Sequence, residues 1–155
     1  MPIDKAQYVA TDPGACGPDA VARAFENQVA YCRDNGAPIT ALVCDALRQL
    51  LDTERGGAVM RRVRRWAGPA LADALPLRVA GGLHALHLAG EEPALAPIYE
   101  GLGPTHGVEL IADAIKNTVE TGEGQTCWMK AVGVNQDGVA VSTFHFEWTV
   151  KVKSV

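Results

Sequence analysis

Arginine is missing from the chain after residue 78 and proline after residue 104, although nine of each precede those points. No run approaches the roughly 18 consecutive apolar residues that a membrane span requires. Met1 to Thr11 lacks the basic start and apolar stretch of a signal peptide. A soluble, cytoplasmic protein with no membrane partner is therefore expected. The four cysteines, Cys16, Cys32, Cys44 and Cys127, include no C-x-x-C pair. Disulfide frameworks and structural zinc sites need tighter clustering, so neither is expected to support the fold. There is no G-x-S-x-G, no phosphate-binding P-loop and no G-x-G-x-x-G, and no cofactor is expected. A net charge of −4 gives no general attraction to nucleic acid.

What is present suits one domain, or one domain with a small appendage. With 48% hydrophobic residues among 155, the chain can bury a core unaided. Up to residue 104 the pattern is helical. Val21, Phe25, Val29 and Cys32 recur at spacings of three and four, starting after Pro18-Asp19 and stopping at Asn35-Gly36. Leu42, Val43, Ala46, Leu47, Leu50 and Leu51 make a second apolar stripe after Pro38. Val59, Val63 and Trp66 predict a short third helix, closed by Gly68-Pro69. Pro76 to Ala89 predicts another, opened by proline in its first turn. Gly81-Gly82 inside it costs about 1 kcal/mol per glycine relative to alanine, which suggests close packing against a neighbouring helix.

Past residue 104 the remaining basic residues are four lysines. Val108, Ile111, Ala112, Ile115 and Val119 predict one more helix, ending at Gly122. The period then changes to two. Phe144, Phe146, Trp148, Val150 and Val152 alternate with His145, Glu147, Thr149, Lys151 and Lys153, as in a strand with one wet face. Gln125 to Val134 is the expected partner strand, joined through Asn135-Gln136-Asp137-Gly138. The expected class is thus α+β: a helical region, then a helix and a long antiparallel β-hairpin. The compositional break divides the chain into a helical domain, 1–103, and a second unit, 104–155. The helix from Val108 is the nearest cover expected for the hairpin, whose far end and edge need either the N-terminal helices or a second copy, and a homodimer in which hairpin edges or faces meet is expected.

Two stretches resemble known families. The strings Phe25-Glu26-Asn27-Gln28-Val29-Ala30-Tyr31-Cys32, Asn35-Gly36-Ala37-Pro38 and the longer Ala72 to Gly90 are the first. On them, the segment from Val21 to Tyr99 resembles the N-terminal part of the bacterial family of domain of unknown function 2332. That resemblance implies a fold and no particular chemistry, in a family whose members are much longer. Val108 to Lys153 is similar to the end of hotdog-fold thioesterase-like proteins. His106-Gly107-Val108-Glu109-Leu110-Ile111-Ala112-Asp113 resembles the opening of their central helix. This second likeness implies an acyl-CoA ligand and a homodimer. It also implies a catalytic pair in which Asp113 activates water as general base, beside His106, with free N–H groups at the helix start polarising the thioester.

The ordinary alternative to that pair is Thr105 as the helix cap and Asp113 as a solvated surface charge, and the other candidates have ordinary alternatives as well. His84 and His87, three apart, could hold a metal with Glu91 or His106, or simply pack and hydrogen-bond; no metal is expected. Arg61, Arg62, Arg64 and Arg65 could bind phosphate, or form the wet face of a short helix with Asp52, Glu54 and Asp73 as partners. No nucleic acid is expected. Cys127 could be a nucleophile with His145 as base, or a packed thiol. Two functions remain: a non-catalytic helical module that binds a partner or itself, or a hotdog-like acyl-CoA thioester hydrolase or acyl-binding protein.

Overall fold

The computed structural model describes residues 12–100, 107–116, 125–134 and 137–150. Its first helix, α1 (Pro18–Asp34), begins with proline, whose missing N–H costs nothing in a first turn, and with Asp19 at the positive end of the helix dipole. It ends where the Asn35 side chain donates to the Tyr31 carbonyl at 2.8 Å and Gly36 takes a φ of 70°. Three residues later α2 (Pro38–Leu50) runs back along it. Phe25 and Val29 of α1 and Val43 and Leu47 of α2 are buried in the shared core. Each such side chain contributes roughly 1.5–3 kcal/mol on leaving water.

A 3₁₀ turn, Glu54–Gly56, leads into α3 (Gly57–Arg64), which turns Met60 and Val63 inward. The chain then reaches α4 (Leu75–Leu88) through Ala74, whose φ of 49° is left-handed. A second 3₁₀ turn, Pro93–Leu95, precedes the one-turn helix α5 (Ala96–Tyr99). Helix α6 (Gly107–Ala114) lies on α2 and adds Ile111, Ala112 and Ala114 to the same core, joined by Ile115 just past its end. The compositional break at residue 104 is therefore crossed by one apolar interior. Among the described residues, no helix is long and apolar enough to cross a membrane.

The strands are β1 (Gln125–Val134) and β2 (Ala140–Val150), paired antiparallel from Gln125 opposite Val150 to Gly133 opposite Ser142. An irregularity follows between Gly133 and Val134. One expectation is corrected here. The α+β class gives way to a predominantly helical fold. Every described side chain of the buried core comes from a helix or from a turn beside one, and no third strand joins the pair among the described residues. The physical reason is that the helices carry faces broad enough to close a core among themselves, while a two-stranded ribbon is marginal alone. The strand pair is an attachment to this helical body, not half of the architecture. Of the covers expected for the pair, an N-terminal helix is present: α4 lies against both strands. Val119, Lys151 and Lys153 lie outside the described residues.

Candidate functional site

Aromatic rings gather where α5 meets α4. The ring of Tyr99 stacks on His84 at 4.6 Å between centroids and on His87 at 4.9 Å, with interplanar angles of 13° and 19°. Spacing along α4 places both imidazoles on the side from which Tyr99 approaches. Beside the stack is an open groove of about 200 Å³, floored by Val43 and rimmed by Thr40, Leu77, Gly81, His84 and Tyr99. Burial, then the neighbouring Cys44, pushes the Tyr99 phenol well above its usual pKa, so it stays protonated. Partial burial, then the adjacent His87, lowers the pKa of His84. Both effects hold the Tyr99 phenol and the His84 imidazole toward their neutral forms. The chemistry of the stack is that of apolar and aromatic contact, with two imidazoles and a phenol offering hydrogen bonds at the rim.

Among the described residues, no three histidine, cysteine, aspartate or glutamate side chains converge to hold an ion. Glu91 is exposed just beyond α4, and His106 lies outside the described residues.

Asp113 is exposed on α6. It borders a cleft of about 340 Å³ shared with Glu54, Arg55, Glu109 and Lys116. Arg55 pairs with Glu109 at 3.1 Å across that cleft. A catalytic pairing of Asp113 with His106 cannot be placed, because only Asp113 falls within the described residues.

The arginine cluster divides. Arg61, Arg62 and Arg65 are exposed, whereas Arg64 ion-pairs with Asp52 at 2.9 Å and donates to the Pro18 carbonyl. Trp66 packs against the core and donates its indole N–H to Asp73 at 2.6 Å. The strand register sets Cys127 opposite Trp148 and His145 opposite Lys130, so the imagined nucleophile and base do not occupy paired positions.

Sequence reasoning missed Tyr99 altogether, and with it the stack. The only signal was its separation from His84 by the turn at Gly90, which says little about where a ring will land. It also missed that Leu77 and Leu88 of α4 are left 42% and 55% exposed.

A family model described as an uncharacterised protein conserved in bacteria, DUF2332, matches residues 22–127. The match runs on through α6 into β1, over ground the hotdog likeness had claimed, and that likeness finds no support. No curated protein and no solved structure matches the chain.

Proposed function

We propose that this chain, which belongs to the DUF2332 family of uncharacterised bacterial proteins, is a non-catalytic helical module that self-associates as a homodimer. One observation carries the reading. On a helix apolar nearly all round, Leu77, at the groove beside Tyr99, and Leu88, three turns on along the same face, are left open to solvent. Exposed leucines are common singly, but two on one helix face beside an apolar groove form a patch that favours association. Ile39, at the start of α2 and next to the rim residue Thr40, is exposed as well.

Sedimentation across the micromolar range tests this. The expected particle is twice the 16.4 kDa chain. A monomer at every concentration would overturn the self-association. Thiol release from a panel of acyl-CoA substrates, abolished by Asp113→Ala, would overturn the non-catalytic part.

A further inference from the structure

Three distances settle how the rings between α4 and α5 are arranged. Parallel rings in contact lie about 3.5 Å apart plane to plane, so imidazoles on opposite faces of one phenol would have centroids at least about 7 Å apart. The centroids of His84 and His87 are 6.5 Å apart, with 15° between the planes. Both imidazoles therefore lie side by side on the same face of Tyr99. Their nearest ring atoms are then roughly 4 Å apart, too far for a hydrogen bond between them. Tyr99 covers one face of the pair, yet His84 remains exposed. Among the described residues, no group hydrogen-bonds to the His84 ring nitrogens or to the Thr40 hydroxyl.

The groove beside the stack runs along α4 from Leu77 to His84, about 10 Å at helical rise. Val43 and Ala80 beneath it are buried, and none of the described residues that line it carries a formal charge. Its volume of about 200 Å³ is somewhat more than the roughly 150 Å³ in which an apolar cavity holds benzene. We propose that this groove binds a small, uncharged, planar aromatic molecule bearing one N–H or O–H, of the indole or phenol class. The apolar body of the ligand lies over Val43 and Ala80, and its N–H or O–H donates to the unpaired nitrogen of His84.

Each part of that description answers to a feature of the groove. A carboxylate or an ammonium group would leave water without meeting an opposite charge, which excludes ionised ligands. Gly81 has no side chain to fill the middle of the groove, so a flat ring can lie close to the helix there. The rings of His84 and Tyr99 give a π surface to the end wall, which favours an aromatic occupant over an aliphatic one. Burial, then His87, holds the imidazole toward its neutral form, which keeps one ring nitrogen free to accept. Leu88, which the self-association surface needs, does not line the groove, so the ligand site stands whether or not the chain dimerises.

Indole and 1-methylindole are the probes, since the second lacks the N–H. Titration of the native chain with indole, followed by protein NMR, should saturate with a Kd of about 0.1–1 mM, ordinary for so small a ligand. The amides of Gly81 and His84 should shift most. 1-Methylindole should bind about fivefold more weakly, the worth of one hydrogen bond. His84→Phe keeps a ring against Tyr99 but removes the nitrogens, and there the two probes should bind alike. Gly81→Leu fills the groove and should abolish both; should melts show it unfolded, Leu77→Trp at the exposed rim takes its place as the block. A native titration that does not saturate, or shifts confined to residues away from the groove, would overturn the site. An indole preference that persists in His84→Phe would overturn the imidazole as acceptor. Undiminished binding to a folded, blocked variant would overturn the groove.

Discussion

Trp66 donates its indole N–H to the Asp73 carboxylate at 2.6 Å, and the backbone at Gly68 passes directly beneath that bond. A Cβ on Gly68 would lie 2.4 Å from the Asp73 oxygen and 2.9 Å from the indole nitrogen. The link spans the turn from α3 to α4 and therefore sets how α4 is presented. Asp73→Ala should cost about 1–2 kcal/mol, the worth of a hydrogen bond to a charged group that is only partly buried. Gly68→Ala should cost about 2 kcal/mol by overpacking. At roughly 2–4 °C per kcal/mol for a chain of this size, both shifts are readable in a thermal melt. An unchanged melting temperature in both variants would show that the bond contributes nothing.

Gly56 is more tightly confined. An added Cβ would sit 2.2 Å from the Leu50 carbonyl oxygen and 2.7 Å from the Met60 Cβ. The first of these is backbone and cannot swing aside. Gly56→Ala is expected to lose about 3 kcal/mol, at the upper end of overpacking in a closed core. Urea unfolding checks it, and a loss below about 1 kcal/mol would mean that the 3₁₀ turn yields easily.

Arg64 should matter where its neighbours do not. It joins the carbonyl of Pro18, at the start of α1, to Asp52, just beyond α2. Asp52 is largely exposed, so the ion pair itself is screened and adds little. Arg64→Ala is expected to cost about 1 kcal/mol, chiefly through the Pro18 bond. Arg61→Ala should stay within about 0.5 kcal/mol, as ordinary surface changes do. Equal losses from the two would contradict this division of the cluster.

The lowered pKa of His84 makes stability depend on pH in one direction. Above the unfolded value of 6.5 both states hold a neutral ring and the group contributes no slope. As pH falls through 6.5, the unfolded chain takes up the proton first, so stability declines. The decline stops below the folded pKa, where both states are charged. Denaturant midpoints measured from pH 8 to pH 5 should fall, and His84→Gln should flatten that part of the curve. A native profile rising toward acid would have the wrong sign.

Thiol labelling separates the cysteines. Cys16 is exposed, whereas Cys32 and Cys44 are buried. Burial, then the neighbouring Cys32, pushes the Cys44 pKa up to about 12. Because the thiolate is the reactive form, Cys44 should resist an aromatic disulfide reagent until the protein unfolds, while Cys16 reacts at once. Mass spectrometry of the partly labelled protein reads the order.

The helices were legible because each carries its own punctuation. Pro18, Pro38 and Pro76 open three of them, and Asn35-Gly36 closes the first, by backbone chemistry that is local to those residues. Most of the core from Val21 to Leu50 followed from spacing, although Leu42 is only half-buried and Ala24 and Cys44, which spacing did not single out, are buried. What spacing does not encode is which helix meets which. The strand period was read correctly as extended chain, but its weight in the fold was overstated, because alternation says nothing about how many strands will join. The stack on Tyr99 was hidden for a similar reason. Its rings come from α4 and α5, and only the turn between them fixes their meeting. The open faces of Leu77 and Leu88 were invisible because an apolar residue's sequence neighbours do not reveal that a side has been left uncovered.

The position of Ile111 bears on how the protein is made. It is fully buried, and α6, which bears it, lies against α2. As the chain emerges from the ribosome, α2 must wait for more than fifty further residues before that seam closes. Through this interval the α1–α2 pair presents an unfilled furrow to solvent. A stalled nascent chain ending at Glu100 should accordingly be cut readily by protease near α2, and one extended past Lys116 clear of the exit tunnel should resist.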